Sequence, residues 1–388
     1  MSWQTARLKY ITRLGYGDTL PLDEPHEGPF QVFGSNGPYA RLGRANAGPP
    51  AIIVGRKGSY GKVNWSGAKC FASDTTYFVD PSTTRHSLRW VFWVLQTLSL
   101  DEGSNEAAVP GLNRETAYEQ IVPLPSYDQQ FVIAEYLDLA TARLDDLIEA
   151  KEHLMQLIAE KRRALITHAV TRGLDPNAPL RDSGLPWLGQ IPAHWETRRC
   201  AWLFSERDER GEPDLPLLEV SINSGVVMRE FADDRIESTA ADFNSYKVAR
   251  KGDLVFNRMR MWQGAVGIAP VDGLVSPDYA VAVIDNQLAP QYTACLMRTA
   301  VFSAECARES HGITWDRLRL YWEGFREIRI PLPARNEQHD IITWVQTETA
   351  KLDALRTAAE RTIALLKERR AALIAAAVTG QLNIPEAA

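Results

Sequence analysis

The side chains best suited to chemistry in this chain are arginines and lysines gathered in two turns. One turn, Gly55-Arg56-Lys57-Gly58-Ser59-Tyr60-Gly61-Lys62, follows the apolar stretch Ala51 to Gly55. The other, Asn257-Arg258-Met259-Arg260-Met261-Trp262-Gln263-Gly264, follows Leu254 to Asn257. An arginine fork fits the acceptor edge of guanine, a glutamine amide fits adenine, and lysine neutralises phosphate. Tyr60 and Trp262 are placed to lie against sugars or bases. The alternative is that both are plain exposed turns and that Trp262 fills a core. The net charge is -6, yet Gly28 to Ser73 contains no Asp or Glu and carries Arg41, Arg44, Arg56, Lys57, Lys62 and Lys69. Lys247 to Val271 likewise sets Lys247, Arg250, Lys251, Arg258 and Arg260 against the single acid Asp253. A local positive field draws a polyanion even to an acidic chain. The expected DNA contacts are therefore Arg41, Arg44, Arg56, Lys57, Tyr60 and Lys62 in the first half, with Lys247, Arg250, Lys251, Arg258, Arg260, Trp262 and Gln263 in the second.

Catalytic patterns come close but fail. Gly55 to Val63 approaches a phosphate loop, but its glycine spacing is one residue too long, and Val63 stands where a hydroxyl would hold magnesium. Pro213-Asp214 followed by Glu219-Val220-Ser221 lacks the lysine of a metal-dependent nuclease. Ser276-Pro277-Asp278-Tyr279 is not the Asn/Asp-Pro-Pro-aromatic run of an amino-methyltransferase. The histidines, His168 and His311 among them, are dispersed, and Cys70, Cys200, Cys295 and Cys306 show no CxxC spacing. The expectation is no catalytic, metal or cofactor site on this chain, and a reduced, cytoplasmic setting. The longest apolar run, Trp90 to Leu100, is interrupted by Gln96, Thr97 and Ser99 and is too short to cross a bilayer.

What must position the turns is a duplicated support. Shifting the chain by 208 residues aligns Pro123 to Leu174 with Pro331 to Leu382 without a gap, and 22 of the 52 pairs are identical. Such self-similarity marks a repeated structural unit. Each copy has apolar residues at alternating steps of four and three, the pattern of a coiled coil. In the first copy the expected seam runs through Leu137, Leu144, Leu147, Leu154 and Ile158; in the second it runs through Val345, Leu352, Leu355, Leu366 and Leu373. No proline or glycine interrupts either span before Gly173 and Gly380. Rods of this kind bury their stripe by packing on each other, antiparallel if the duplication creates a pseudo-twofold.

The segments ahead of the rods show short strands, with helices over Trp90 to Leu100 and Tyr292 to Cys306, and final strands at Gln120 to Leu124 and Glu327 to Leu332. The expected fold is α+β: two mixed α/β globules separated by two long helices packed as an antiparallel coiled coil. Its divisions are a first globule at 1–125, a first helix at 126–172, a proline-rich linker at 173–192, a second globule at 193–333, a second helix at 334–380 and a tail at 381–388. The loop Phe33 to Tyr39 reads as a plain turn with glycines for close approach, and His311 to Trp315 as a turn ending in a Thr314 cap.

With this order in view, the chain resembles the specificity subunit of type I restriction-modification systems over essentially its whole length. The resemblance rests on Ile121-Val122-Pro123-Leu124-Pro125 with Gln129-Gln130, on Ile328-Arg329-Ile330-Pro331-Leu332-Pro333 with Glu337-Gln338, and on the rod ends Lys161 to Thr171 and Arg369 to Thr379. Trp187-Leu188-Gly189-Gln190-Ile191-Pro192-Ala193-His194-Trp195-Glu196 looks like the family's entry to a target-recognition domain; the first globule departs from it, starting at Met1-Ser2-Trp3. The resemblance implies two domains that each read half of a split double-stranded DNA sequence, held apart by paired helices. It implies docking of modification (methyltransferase) subunits, two in number, and of restriction/translocase subunits. S-adenosylmethionine and ATP/Mg would then be held by those partners and no cofactor by this chain. A competing expectation is a coiled-coil scaffold that assembles partners without reading DNA.

Overall fold

A computed structural model describes residues 3–21, 27–98, 100–101, 111–229, 243–312 and 318–384. The Thr314 cap lies outside them. The chain clusters into two units, Met1–His153 with Ala359–Ala388, and Leu154–Ala358. Each unit therefore contains one globule, half of the first long helix and half of the second.

The two long helices are Tyr127–Arg172 and Arg335–Val378. Their starts explain the repeated Pro-Leu-Pro motif with its glutamine. In the first unit the buried Gln130 amide donates to the Pro125 carbonyl at 3.1 Å, and its oxygen accepts the Ser87 N–H at 3.0 Å. In the second, Gln338 donates to the Pro333 carbonyl at 2.9 Å and accepts the Ala289 N–H at 2.7 Å. Each glutamine thus ties a rod start to the N-terminus of a globule helix, Leu88–Thr97 or Pro290–Met297. A buried amide satisfied on both sides fixes that geometry.

Within each unit the rod halves run antiparallel, and the same ion pair forms in both. Arg370 Nε lies 2.8 Å from Asp145 Oδ1 in the first unit, and Arg162 Nη1 lies 2.6 Å from Asp353 Oδ1 in the second. Arg162 and Arg370, like Asp145 and Asp353, are 208 residues apart. Far ends of the rods close the opposite cores: Ile374, Ala377 and Val378 join the first globule's core, while Ala169 and Val170 join the second's. Tyr292 Oη donates to the Val170 carbonyl at 2.9 Å. Trp3 packs over Gly380 as Trp195 packs over Gly173, so Trp3 fills the place of Trp195 although its lead-in differs.

The seam differs from the expected one. Along the first rod the steps of four and three that stay buried or half-buried run through Leu137, Thr141, Leu144, Ile148, Lys151, Met155, Ile158, Arg162, Leu165 and Ala169. On the second they run through Val345, Thr349, Leu352, Ala359, Ile363, Leu366, Arg370, Leu373 and Ala377. Leu137, Leu144, Ile158, Val345, Leu352, Leu366 and Leu373 lie on it; Leu147, Leu154 and Leu355 do not, being 50%, 39% and 57% exposed. Both registers share every seventh residue and differ only in whether the step of three or of four comes first. The leucines favour one order, but globule packing and the Arg–Asp pairs, which place polar residues in the seam, select the other.

Each globule is built on a four-stranded antiparallel sheet of the same order. In the first unit it runs Gly15–Tyr16, Thr76–Val79, Ala51–Gly55, Val63–Ser66; in the second, Phe204–Glu206, Tyr279–Ile284, Leu254–Asn257, Val266–Ile268. Ala51–Gly55 and Leu254–Asn257 are buried throughout, as their unbroken apolar runs require. Around these sheets the units diverge. The first adds a three-stranded sheet of Gly37–Leu42, Phe30–Gly34 and Cys70–Ala72, while the second adds the pairs Leu218–Ser221 with Gly225–Met228 and Lys247–Ala249 with Gly273–Val275. The 173–192 stretch carries a hairpin, Leu180–Asp182 with Gln190–Pro192, whose Ile191 is fully buried in the second core. The helix expected over Tyr292 to Cys306 is two, Pro290–Met297 and Ala300–Arg308, parted at the Thr299 cap. Among the described residues no helix is long and apolar enough to cross a membrane.

Candidate nucleic-acid interface

Both basic turns leave the same strand of the common sheet, and the parallel extends to the hydrogen bond that anchors them. The Arg56 carbonyl accepts the Leu112 N–H at 2.8 Å, and the Arg258 carbonyl accepts the Leu320 N–H at 2.9 Å. Leu112 and Leu320 are again 208 residues apart. Arg56 and Arg258 are therefore structural counterparts in globules of otherwise different make-up.

In the first unit, residues 55–62 form the connection of a hairpin that continues into the strand Val63–Ser66. A phosphate loop feeds a helix instead, so this segment is not one. Gly61 permits the turn: its φ is +79°, and a Cβ there would meet the Asp101 backbone nitrogen at 2.6 Å. Lys62 Nζ donates to Asn36 Oδ1, which brings the Phe33 to Tyr39 loop beside the turn. The Arg56 guanidinium lies 4.9 Å from the centre of the Tyr16 ring and 5.7 Å from that of Tyr77. Lys57 is exposed, while Tyr60 packs half-buried against the first core. Arg41 and Arg44 sit apart from this turn. Arg41 donates to the carbonyls of Gly28 and Pro29 at 2.7 and 2.8 Å, and Arg44 lies over Phe71 at 5.7 Å.

In the second unit the fold divides the predicted set. Lys247 is 3% exposed, with its ammonium 3.6 Å from Glu206 and 3.4 Å from Asp208. Arg250 is paired with Glu209, Glu212 and Asp272. The Lys247 ammonium is buried and the Arg250 guanidinium is neutralised by three carboxylates, so both leave the DNA-contacting set. The window Lys247 to Val271 shows one acid because its partners come from outside it, at 206–212 and 272. The same network holds the Glu209 carboxyl below its ordinary range, first through its hydrogen bond with Arg250; Asp272 is lowered first by the Lys251 N–H. Lys251 keeps an exposed side chain, as do Arg260 and Gln263. Arg258 is half-buried with Nη2 3.4 Å from Glu206, and its Nε is buried without a partner among the described residues. Trp262 neither fills the core nor stands free: it is half-buried, and its indole donates to the Met259 carbonyl at 2.9 Å.

Sequence reasoning missed Tyr16, Arg114 and Arg319. Arg114 lies over the Tyr16 ring at 4.7 Å, and Arg319 Nη2 reaches Met259 Sδ at 3.5 Å. The available signal was the spacing of Leu112 and Leu320, which sit beside Arg114 and Arg319 but fall outside the gapless repeat. Cys200 and Cys306 are fully buried, and burial pushes both thiols up. No group of three or more His, Cys, Asp or Glu side chains among the described residues is arranged to hold a metal. What the two turns offer is hydrogen-bond donors and positive charge.

No family model matches the chain. The type I restriction enzyme EcoDI specificity subunit of Escherichia coli is 20% identical over 412 aligned residues, covering 99% of this chain and 89% of that protein. The EcoBI specificity subunit of the same organism is 21% identical over 367, covering 86% and 74%. Among solved structures, one from work on complex assembly and conformational transition of the type I R-M system has a TM-score of 0.67 at 14% identity, covering 98% of each chain. The HsdS subunit of Thermoanaerobacter tengcongensis has a TM-score of 0.51 at 16% identity, covering 98% of this chain and 97% of its own. The chain is thus homologous to type I restriction enzyme specificity subunits along nearly its whole length, and it has the fold of an S subunit.

Proposed function

We propose that this chain is the non-catalytic DNA-specificity subunit of a type I restriction-modification complex, working in the cytoplasm and reading a split target with one globule per half. The observation that carries the reading is the pair Arg56 and Arg258: equivalent positions on a common sheet, each opening a basic turn, within surroundings that differ. Equal scaffolds with unlike loops suit two different half-sites. In this reading 1–125 and 193–333 are the recognition domains, 126–172 and 334–380 the helices that separate them, with 173–192 joining the first helix to the second domain and 381–388 a tail. Arg56, Lys57, Lys62, Lys251, Arg258, Arg260 and Gln263 face the duplex, some reading bases and others holding phosphates. Tyr60 and Trp262 brace their turns.

The rods supply the docking surface for partners. Leu147 and Leu365 are exposed in the first unit, and Leu355 and Leu157 in the second. Leu147 corresponds to Leu355 and Leu157 to Leu365, 208 residues apart, so each unit offers the same exposed pair. Exposed leucines repeated in this way support two copies of one partner, the modification subunit. Restriction subunits join that assembly, and S-adenosylmethionine, ATP and Mg are bound by the partners rather than by this chain. Comparing methylation of cellular DNA with and without the chain tests the reading. The expected result is one split motif that disappears with it; an unchanged pattern, or loss of a continuous motif, overturns it.

A further inference from the structure

We infer that Tyr16, Arg56 and Arg114 form a single anion-binding site in the first globule, one that takes an acceptor of the DNA half-site, either a phosphate or a guanine edge. The inference rests on the proposed DNA reading and names a site within it. The Tyr16 ring is 48% exposed and carries a guanidinium on each of two neighbours, Arg56 at 4.9 Å and Arg114 at 4.7 Å from its centre. The two cations are thus within about 10 Å of each other, a distance at which charges are only partly screened at physiological salt.

Three chain segments are brought together to make this arrangement, and each is held in place by the backbone. Gly15–Tyr16 is paired with Thr76–Val79, and Arg56 follows the buried strand Ala51–Gly55. Arg114 begins a short helix capped by Asn113, whose side chain accepts the Glu115 N–H at 2.8 Å. The Arg56 carbonyl accepts the Leu112 N–H, which fixes Arg114 beside the turn. Tyr77 and Tyr118 complete an aromatic floor, 5.7 Å from Arg56 and 5.6 Å from Arg114. Among the described residues the one carboxylate paired with either cation is Glu115, at 3.3 Å from Arg114 and largely exposed. Two guanidiniums held against the same tyrosine ring, with one largely exposed carboxylate as their acidic partner, repel each other, and an anion bound to them relieves that repulsion. Stacking on a ring also fixes each guanidinium plane, which lowers the entropic cost of a bidentate contact.

The test uses the full chain with duplexes carrying its split motif, the same duplexes altered one base pair at a time, and an unrelated duplex, each across a range of salt. Arg114→Gln and Tyr16→Leu should both weaken binding to the intact motif, Arg114→Gln by about 5- to 140-fold if a bidentate contact is lost. If the anion is a guanine edge, Arg114→Gln and Arg114→Lys both lose discrimination at one base pair of one half-site. If it is a phosphate, Arg114→Gln weakens every duplex alike and lowers the salt slope by about 0.9, while Arg114→Lys keeps most of the affinity. A wild-type chain that reads the split motif, with Arg114→Gln and Tyr16→Leu indistinguishable from it, overturns the site alone. A wild-type chain with no preference among duplexes overturns the DNA reading and the site together.

Discussion

Leu144 and Leu147 lie three residues apart on one rod, yet the structure gives them opposite tasks. Leu144 is 8% exposed and Leu147 is 50% exposed. Leu144→Ala leaves a void in a packed seam, for which buried Leu→Ala changes cost about 2–5 kcal/mol; a two-helix seam bordered by solvent can partly collapse, so about 2–3 kcal/mol is expected. At about 2–4 °C per kcal/mol for a unit of this size, the first unit should melt about 5–10 °C lower. Leu147→Ala removes a side chain already half in water and improves helix propensity, so its cost should stay below about 1 kcal/mol. Scanning calorimetry on the full chain measures both. The same variants, with Leu355→Ala, should separate on partner binding: Leu147→Ala with Leu355→Ala weakens capture of the modification subunit, and Leu144→Ala does so only through lost stability. A melting loss for Leu147→Ala as large as for Leu144→Ala would refute the assigned register.

Lys247→Ala should lower the stability of the second unit by removing the buried ammonium that Glu206 and Asp208 share, although they keep Arg258 and Arg210 as partners, while leaving the salt slope of DNA binding unchanged; Arg260→Ala should do the reverse, reducing the slope by about 0.9. Gln338→Leu removes the partner of the buried Ala289 N–H and should cost about 1–3 kcal/mol in a denaturant titration, whereas Glu323→Gln at an exposed position should cost almost nothing. Burial lowers His86 below its ordinary 6.5, so the native ring binds fewer protons than the unfolded one in the window beneath that value. Stability of the first unit should therefore rise with pH through this window and be lost as pH falls through it, and His86→Gln should flatten that part of a melting-temperature profile.

The architecture was legible because the duplication repeats contacts as well as letters. Gln130 and Gln338, Arg162 and Arg370, and Asp145 and Asp353 each make the same bond twice, so the signal is physical and survives in sequence. The strands Ala51–Gly55 and Leu254–Asn257 stand out because burial on both faces demands an unbroken apolar run. The seam register was less legible, since Leu147, Leu154 and Leu355 mimic a core when read along one helix and only the second helix shows which side is covered. Long-range electrostatics was least legible. Counting charge in a window leaves Lys247 and Arg250 free, and the carboxylates that occupy them arrive from distant strands and turns. Arg114 was hidden for the complementary reason, as its relation to Arg56 exists only across the Leu112 hydrogen bond.

The central claim is that each globule reads its own half of the target. It is tested most directly by measuring, for Arg56→Ala and for Arg258→Ala, the affinity for a set of duplexes substituted at every base pair of both half-sites. The account predicts that each variant loses discrimination in one half only, and that the two halves differ. Loss in the same half for both variants, or unchanged discrimination in both halves, would contradict it.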